Sequence, residues 1–295
     1  MPTKDVKKNI QFIINPISGV GRQRVVEKLL NRYLDHTLYN YEVTYTKAPH
    51  HATEIAQQAA KQNYWAVVAV GGDGSVNETA KGLINTNTYL GILPCGSGNG
   101  LARHLKIPLD LSKAIQRINN PTFDWLDAGL INNHYFFNVS GIGFDGYVAH
   151  CFSNKKKRGL QSYIKIVIKE LFNYPLTKAT LEFNNQKISC SEFINSFCIG
   201  SQYGNNTLIA PLAQHNDGLL EVVLVDKLLW YKIPGLLYYL ATKQIHKSSL
   251  VKTFQTNKLT IFGELNWFHL DGEPYRFSEK KIEIELKKHA LKIVR

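Results

Sequence analysis

Four cysteines, at positions 95, 151, 190 and 198, form no CxxC pair. That spacing supports neither a zinc site nor a disulfide framework, and it points to reduced thiols buried in a cytosolic protein. Long apolar runs are missing as well. The most apolar stretch, Leu228 to Ala241, is interrupted by Lys232, Pro234 and Gly235, and it falls short of the about 18 residues that cross a bilayer. Only Ile10 to Ile14 is apolar before the Asn15-Pro16 turn, too short for a secretory leader, so it reads as a first strand. Repeats and low-complexity linkers are absent, so two domains are expected to share a tight interface. A Walker A loop, GxxxxGK[ST], is absent, which excludes a P-loop kinase. No helix-turn-helix, RNP or zinc-finger signature occurs, which sets nucleic acid aside as a partner. Acidic residues are scarce: 23 Asp and Glu stand against 35 Lys and Arg, a net charge of +12. This excess calls for an anionic partner, either phosphate or an anionic membrane.

The composition is otherwise that of a globular chain, 44% hydrophobic and 20% charged in 295 residues, long enough for two domains. From Asn9 to about Leu105, apolar strands (Asn9–Ile14, Tyr41–Thr46, Trp65–Val70, Leu90–Leu93) alternate with helical patterns (Arg22–Leu34, Thr53–Asn63, Ser75–Leu83). That alternation predicts βαβ units and a parallel sheet. Near Phe123 the pattern turns β-rich, with Ala128–Ile131, Tyr135–Val139, Lys178–Phe183, Phe193–Gly200, Leu219–Val225, Val251–Phe262 and Trp267–Leu270 as strands. Helical patterns interrupt at Leu160–Phe172 and Leu228–Ala241, and the tail reads as two short strands, Lys281–Leu286 and Ala290–Val294. This half is expected to be an antiparallel sandwich or barrel.

Three glycine loops follow strands in the first half: Asn15–Arg22, Gly71-Gly72-Asp73-Gly74-Ser75 and Gly96-Ser97-Gly98-Asn99-Gly100. A glycine loop between a strand end and a helix start presents backbone N–H groups and the positive end of a helix dipole, which suits phosphate. Strand ends of this kind line the ligand crevice of open α/β sheets. Ser75 with Glu78 has the spacing of a capping box, so the helix is expected to open at Ser75. Asp73 is the informative member, because an acid beside phosphate must help hold a cation or take a proton. Gly141-Ile142-Gly143-Phe144-Asp145-Gly146 matches GxGxxG, but it lies in the β-rich half with no acid-tipped strand after it, and it reads as a turn.

These motifs resemble the diacylglycerol kinase catalytic family, which includes bacterial lipid kinases and sphingosine kinases. The resemblance runs in order through Asn15–Gly19, Gly71–Glu78, Leu93–Leu105, Asp127–Asn132, Asn138–Gly146, Asn216–Val225 and Leu270–Tyr275. It implies an N-terminal α/β nucleotide-binding domain with a parallel sheet, as in NAD kinases and phosphofructokinases. A β-rich antiparallel sandwich that binds lipid would follow, with the active site in the cleft between the two. The first domain would comprise residues 1–128 with returning strands 281–295, and the second residues 129–280.

By the same resemblance ATP and Mg²⁺ are the cofactors, and Asn15, Ser18, Gly19, Gly71, Gly72, Gly74, Ser97, Gly98, Asn99, Arg158 and Gly272 contact the nucleotide. Asp73, Asp127 and Glu273 are the catalytic acids, with Glu273 in the position of the general base. Asp217 and Leu219 match a structural Mg²⁺ site, although the acid expected three residues before Asp217 is Gln214 here. Gly100 stands where many bacterial members have Asp, a step closer to the sphingosine kinases. A lipid substrate at an anionic membrane surface, a peripheral cytoplasmic location and a homodimer complete what the resemblance implies.

Phosphoryl transfer needs in-line positioning, charge neutralisation and a carboxylate within reach of the acceptor hydroxyl. Asp271-Gly272-Glu273 also suits a plain hairpin turn. Lys155-Lys156-Lys157-Arg158 reads as a solvated loop or a contact to phosphate or lipid headgroups. The aromatic helix Leu228–Ala241 is expected to pack in the core. Two other readings remain at this point: an NAD kinase-like enzyme with a soluble substrate, and a non-catalytic protein that binds nucleotide or membrane.

Overall fold

The computed structural model describes residues 7–17, 21–153, 160–171, 174, 178–190, 193–226, 228–263, 267–276 and 279–295. Its chain divides into two compact units, Met1–Leu126 with His289–Arg295, and Asp127–Lys288.

In the first unit the elements are β1 (Lys8–Ile14), α1 (Val26–Tyr33), β2 (Tyr39–Tyr45), α2 (His51–Lys61), β3 (Ala66–Gly71), α3 (Asp73–Leu83), β4 (Tyr89–Pro94), α4 (Gly100–His104) and α5 (Leu111–Asn119). The strands lie in the order β2-β1-β3-β4, every pair parallel. Every residue of β3 is buried, as a strand covered on both faces must be. Chain order reverses between β1 and β3, the point at which open α/β sheets bind ligands.

Two helices here lie where the sequence pattern gave none, α4 and α5. The second carries its own signals: Asp110 caps it by accepting from Lys113 N–H, and Leu111, Ala114, Ile115 and Ile118 form the buried face. The chain end is tied into this unit. Lys292 and Ile293 pair in parallel with β4, Thr122 and Arg295 exchange backbone hydrogen bonds of 2.8 and 2.9 Å, and Arg295 bridges Asp124 at 2.7 Å.

In the second unit β5 (Phe123–Ile131, shared with the first by its start) and β6 (His134–Phe136) form a hairpin. Then come β7 (Val139–Gly143), α6 (Phe144–Ser153), α7 (Leu160–Glu170), β8 (Ala179–Phe183), β9 (Gln186–Cys190), β10 (Ile194–Cys198), β11 (Gln202–Gly204), β12 (Thr207–Leu208) and β13 (Leu220–Val225). A 3-10 turn (Trp230–Lys232) leads into α8 (Ile233–Ala241), followed by β14 (Val251–Thr256), β15 (Lys258–Gly263), β16 (Phe268–Leu270), β17 (Glu273–Tyr275) and β18 (Lys281–Val294). One sheet runs β14-β13-β10-β7-β16-β17 with every pair antiparallel. In the other, β15 pairs antiparallel with β8 and with the start of β18, and β8 pairs with β9. The fold is thus a parallel α/β unit and an antiparallel β sandwich.

Four local expectations change. Val251–Phe262 is two strands rather than one, parted at Asn257, because Thr256 turns its hydroxyl onto Lys258 C=O. The tail is a single strand, β18, rather than two, although His289 within it takes a left-handed φ of 53°. The Gly141–Gly146 segment is not a turn: it ends β7 and opens α6. Helix α8 lies on the surface rather than in the core. Among the described residues no helix is long and apolar enough to cross a membrane. Cys95 and Cys198 are buried free thiols, and burial pushes the Cys95 thiol up to about 11.

Candidate active site

The first unit builds its site from backbone. At the end of β3, helix α3 starts at Asp73 with Gly72 as its N-cap. That is two residues earlier than the Ser75 capping box predicts, so Asp73 sits in the first turn of the helix. Its N-cap is a glycine that makes no side-chain cap hydrogen bond, and the positive end of the helix dipole lies at this loop. Ser75 accepts from Asn15 Nδ2 at 3.3 Å instead, and Asn15 N–H donates to Val70 C=O at 3.3 Å. Asn15 thereby joins the ends of β1 and β3.

The loop after β4 is laid directly on the loop after β3. Cys95 and Gly96 both donate their N–H to Gly71 C=O, at 2.8 and 3.2 Å. A Cβ on Gly96 would stand 2.5 Å from the Gly72 Cα, so the two glycines are what lets the loops touch. Asp73 clamps them: its Oδ1 accepts from Gly100 N–H at 2.7 Å, at the start of α4. Asn99, left-handed at φ 51°, donates Nδ2 to Gly96 C=O at 2.7 Å. Its Oδ1 is buried without a hydrogen-bond partner, an acceptor held ready beside the loop. Ser97 is exposed at the loop tip, and Arg103 Nε donates to Gly98 C=O at 3.1 Å. So Asn15, Gly71, Gly72, Asp73, Gly74, Ser97, Gly98 and Asn99 come together. Ser18, Gly19 and Arg158, with the Lys155–Arg158 run, lie outside the described residues.

The second unit builds its site from side chains. Asp271 and Gly272, at φ 51° and 88°, form a two-residue hairpin turn between β16 and β17, with Leu270 opposite Glu273. Both oxygens of Asp271 are taken up, accepting from Phe137 N–H at 2.9 Å and Asn138 N–H at 2.8 Å. Glu273, next along, is exposed. The two acids of this turn therefore divide the work: Asp271 anchors, and Glu273 is presented.

Beneath the turn lies a buried network that the sequence analysis missed. Gly272 N–H donates to His269 Nδ1 at 3.2 Å, so the ring proton sits on Nε2, 3.2 Å from Asp145 Oδ2. The same oxygen lies 3.0 Å from the Tyr203 hydroxyl and 3.3 Å from Ser196 Oγ, and those two hydroxyls are 2.7 Å apart. Asp145 Oδ1 accepts from Gly146 N–H at 2.8 Å. His269, Asp145 and Ser196 are all buried, so the carboxylate depends on these donors. A Cβ on Gly141 would stand 2.0 Å from Asp145 Oδ2. That is why the segment read as a turn is glycine-rich: it makes room for a carboxylate. Three glycines around one acid, the pattern already used at Asp73, were the available signal.

Asp127 is fully buried and its Oδ2 accepts from Gly218 N–H at 2.8 Å. Asp217 Oδ1 accepts from Leu219 N–H at 2.9 Å. The structural Mg²⁺ expected at Asp217 and Leu219 does not fit these residues. Position 214 is Gln, the Lys288 side chain lies 2.8 Å from where a Cβ on Gly218 would stand, and no three His, Cys, Asp or Glu side chains cluster as metal ligands among the described residues. Mg²⁺ is ordinarily held by one or two carboxylates with waters completing its six oxygens; here Asp217 Oδ1 already accepts from Leu219 N–H, and the second acid is replaced by Gln214.

A parallel α/β unit with glycine-lined strand ends and an antiparallel sandwich presenting a carboxylate are the two parts that the sequence resemblance implies for a lipid kinase. Comparison with known proteins agrees. The diacylglycerol kinase catalytic domain matches residues 9–131, and the YegS C-terminal NAD kinase beta sandwich-like domain matches residues 138–295. The chain belongs to the diacylglycerol kinase family of lipid kinases. It is 26% identical over 232 residues to a diacylglycerol kinase of Bacillus subtilis, covering 75% of this chain and 74% of that one. A diacylglycerol kinase of Staphylococcus saprophyticus is 26% identical over 282 residues, covering 88% of this chain and 90% of its own. A crystal structure of a diacylglycerol kinase from Bacillus anthracis superposes with a TM-score of 0.75, covering 99% of this chain and 97% of that one at 19% identity, and shares its fold.

Proposed function

We propose that this lipid kinase transfers the γ-phosphoryl group of ATP, taken as its magnesium complex, to the hydroxyl of a lipid alcohol of the diacylglycerol or sphingoid type held at a membrane surface. The observation that carries the nucleotide half is the contact of the two glycine loops at the uncapped start of α3. Backbone N–H groups and the helix dipole there suit the phosphates. Asn15 and the buried Oδ1 of Asn99 suit the sugar and base, which bring hydroxyl and amine donors. Asp73 holds the loops in register and stands beside the phosphate-binding N–H groups. The magnesium ion that arrives with ATP neutralises phosphate charge.

The acceptor half is carried by Glu273. As the acceptor oxygen bonds to the γ-phosphorus, the bond from that phosphorus to the β,γ-bridging oxygen breaks, and ADP leaves. The hydroxyl proton passes to the Glu273 carboxylate. Asp127, fixed by Gly218 N–H, shapes its turn rather than taking this proton. Use of ATP places the reaction on the cytoplasmic side of the membrane, with the chain attached peripherally.

The test is a panel of lipid alcohols, with NAD as the soluble control, incubated with radiolabelled ATP and Mg²⁺. Label in the extracted lipid, and none in NAD, is the expected result. Label in NAD alone would replace the reading with that of a soluble-substrate kinase.

A further inference from the structure

Helix α8 and the turn before it form the most apolar helical segment of the chain, yet no residue of either is buried. One side is accounted for: Leu228, Leu236 and Leu240 pack against the core cluster containing Val139, Val223 and Ile245. The opposite side carries Trp230, Pro234, Leu237, Tyr238 and Ala241, which recur at helical spacing. Trp230 is 76% exposed, Tyr238 65% and Leu237 56%. A helix that is apolar all round is normally enclosed on all sides. This one is enclosed on one side only, and its open side leaves large aromatic and aliphatic side chains in solvent.

The charge along this segment of the chain has one sign. Between Asp226 and Glu264 the sequence holds no Asp or Glu and six lysines, at 227, 232, 243, 247, 252 and 258. Lys232, Lys243 and Lys247 are exposed beside the helix. Trp and Tyr rings flanked by lysine match the interfacial layer of a bilayer, where rings sit among the headgroups and ammonium groups meet phosphate. A second copy of the chain fits less well, because a two-fold contact through this face would bring the same lysines towards their own copies.

We propose that the Trp230–Ala241 face docks the second unit on an anionic lipid bilayer, with Trp230, Leu237 and Tyr238 in the interfacial layer and Lys232, Lys243 and Lys247 against the headgroups. The proposal rests on the reading that the acceptor is a lipid held in a bilayer.

Vesicle sedimentation without ATP tests the surface alone. The full chain is mixed with phosphatidylcholine vesicles with and without phosphatidylglycerol. The wild type should favour the anionic vesicles. The variant Trp230→Ser/Leu237→Ser/Tyr238→Ser should bind them about tenfold or more weakly. The variant Lys232→Gln/Lys243→Gln/Lys247→Gln should lose the anionic preference, by about fivefold per lysine. Both should keep the wild-type melting midpoint and wild-type turnover of a short-chain, water-dispersed lipid alcohol. Wild-type vesicle binding by the serine variant would overturn the proposal. So would a wild-type dimer that the serine variant converts to a monomer, since the face would then belong to a second copy. The two readings separate cleanly. A chain that docks by this face but phosphorylates no lipid keeps the surface and loses the acceptor, and a chain that phosphorylates lipid but docks elsewhere does the reverse.

Discussion

The two units reach their chemistry by opposite means. In the first, the candidate phosphate site is made of main chain: Gly72 and Gly96 in contact, α3 uncapped, and Asp73 tying Gly100 N–H into the same cluster. In the second, the candidate acceptor site is made of side chains: Glu273 stands on a turn whose Asp271 and Gly272 are each held from below, by Phe137 and Asn138 N–H and by the His269–Asp145 pair. Backbone donors suit a ligand whose phosphates are always the same. A carboxylate on a braced turn suits a proton transfer, which needs one group in one place. The contrast predicts that side-chain changes in the second unit reach turnover, and that steric changes in the first reach nucleotide affinity.

The largest effect is expected at Glu273. Glu273→Gln keeps the shape and removes the base, so kcat should fall by about a hundredfold to ten-thousandfold. The melting midpoint should not change, because the residue is exposed. A steady-state assay with parallel thermal melts reads both.

Next is Gly96→Val. Its Cβ would meet the Gly72 Cα at 2.5 Å and push the two loops apart. KM for ATP should rise at least tenfold, with a stability loss of about 1–3 kcal/mol. If KM for ATP were unchanged, the backbone account of the first site would fail.

Asp145→Ala should follow, removing the buried partner of His269, Tyr203 and Ser196. Stability should drop by about 3 kcal/mol in urea titration. Asp145→Asn keeps the volume and some hydrogen bonds and should cost less. If Gly272 transmits the effect, Asp145→Asn should lower kcat by about tenfold while KM for ATP stays put. An equal change in both would mark the network as structural only.

The smallest effect sits at Cys95. Its thiol is pushed up to about 11 by burial. An unfolded chain ionises this thiol near its ordinary value, so the folded chain holds the extra proton between that value and about 11. Its contribution to stability is complete below the unfolded pKa and is lost as pH rises towards 11. Cys95→Ala should flatten that part of the stability–pH curve, measured by urea titration at several pH values. The wild-type thiol should react slowly with thiol reagents at neutral pH.

How much of this was legible in the sequence follows the same division. The backbone-built site was readable because glycines at strand ends have few other reasons to recur: Gly71–Gly74 and Gly96–Gly100 lie where the strand–glycine–helix pattern put them. The one shift is that α3 opens at Asp73 rather than Ser75, with Ser75 Oγ accepting from Asn15. The side-chain network was illegible because Asp145, Ser196, Tyr203 and His269 are scattered along the chain and only the sandwich pairing collects them, with Ser196 opposite Gly141 on β7 and His269 opposite it on the other side. α5 was missed although Asp110 and its apolar spacing announce it. The exposure of α8 could not be read at all, because apolar residues on two faces look alike whether the second face is covered or not.

The most direct test of the contrast is ATP affinity and single-turnover transfer measured together on Glu273→Gln. The account predicts a Kd for ATP within about twofold of the wild type and a transfer rate reduced at least a hundredfold. A transfer rate near that of the wild type, or one lowered only in proportion to weaker ATP binding, would contradict it.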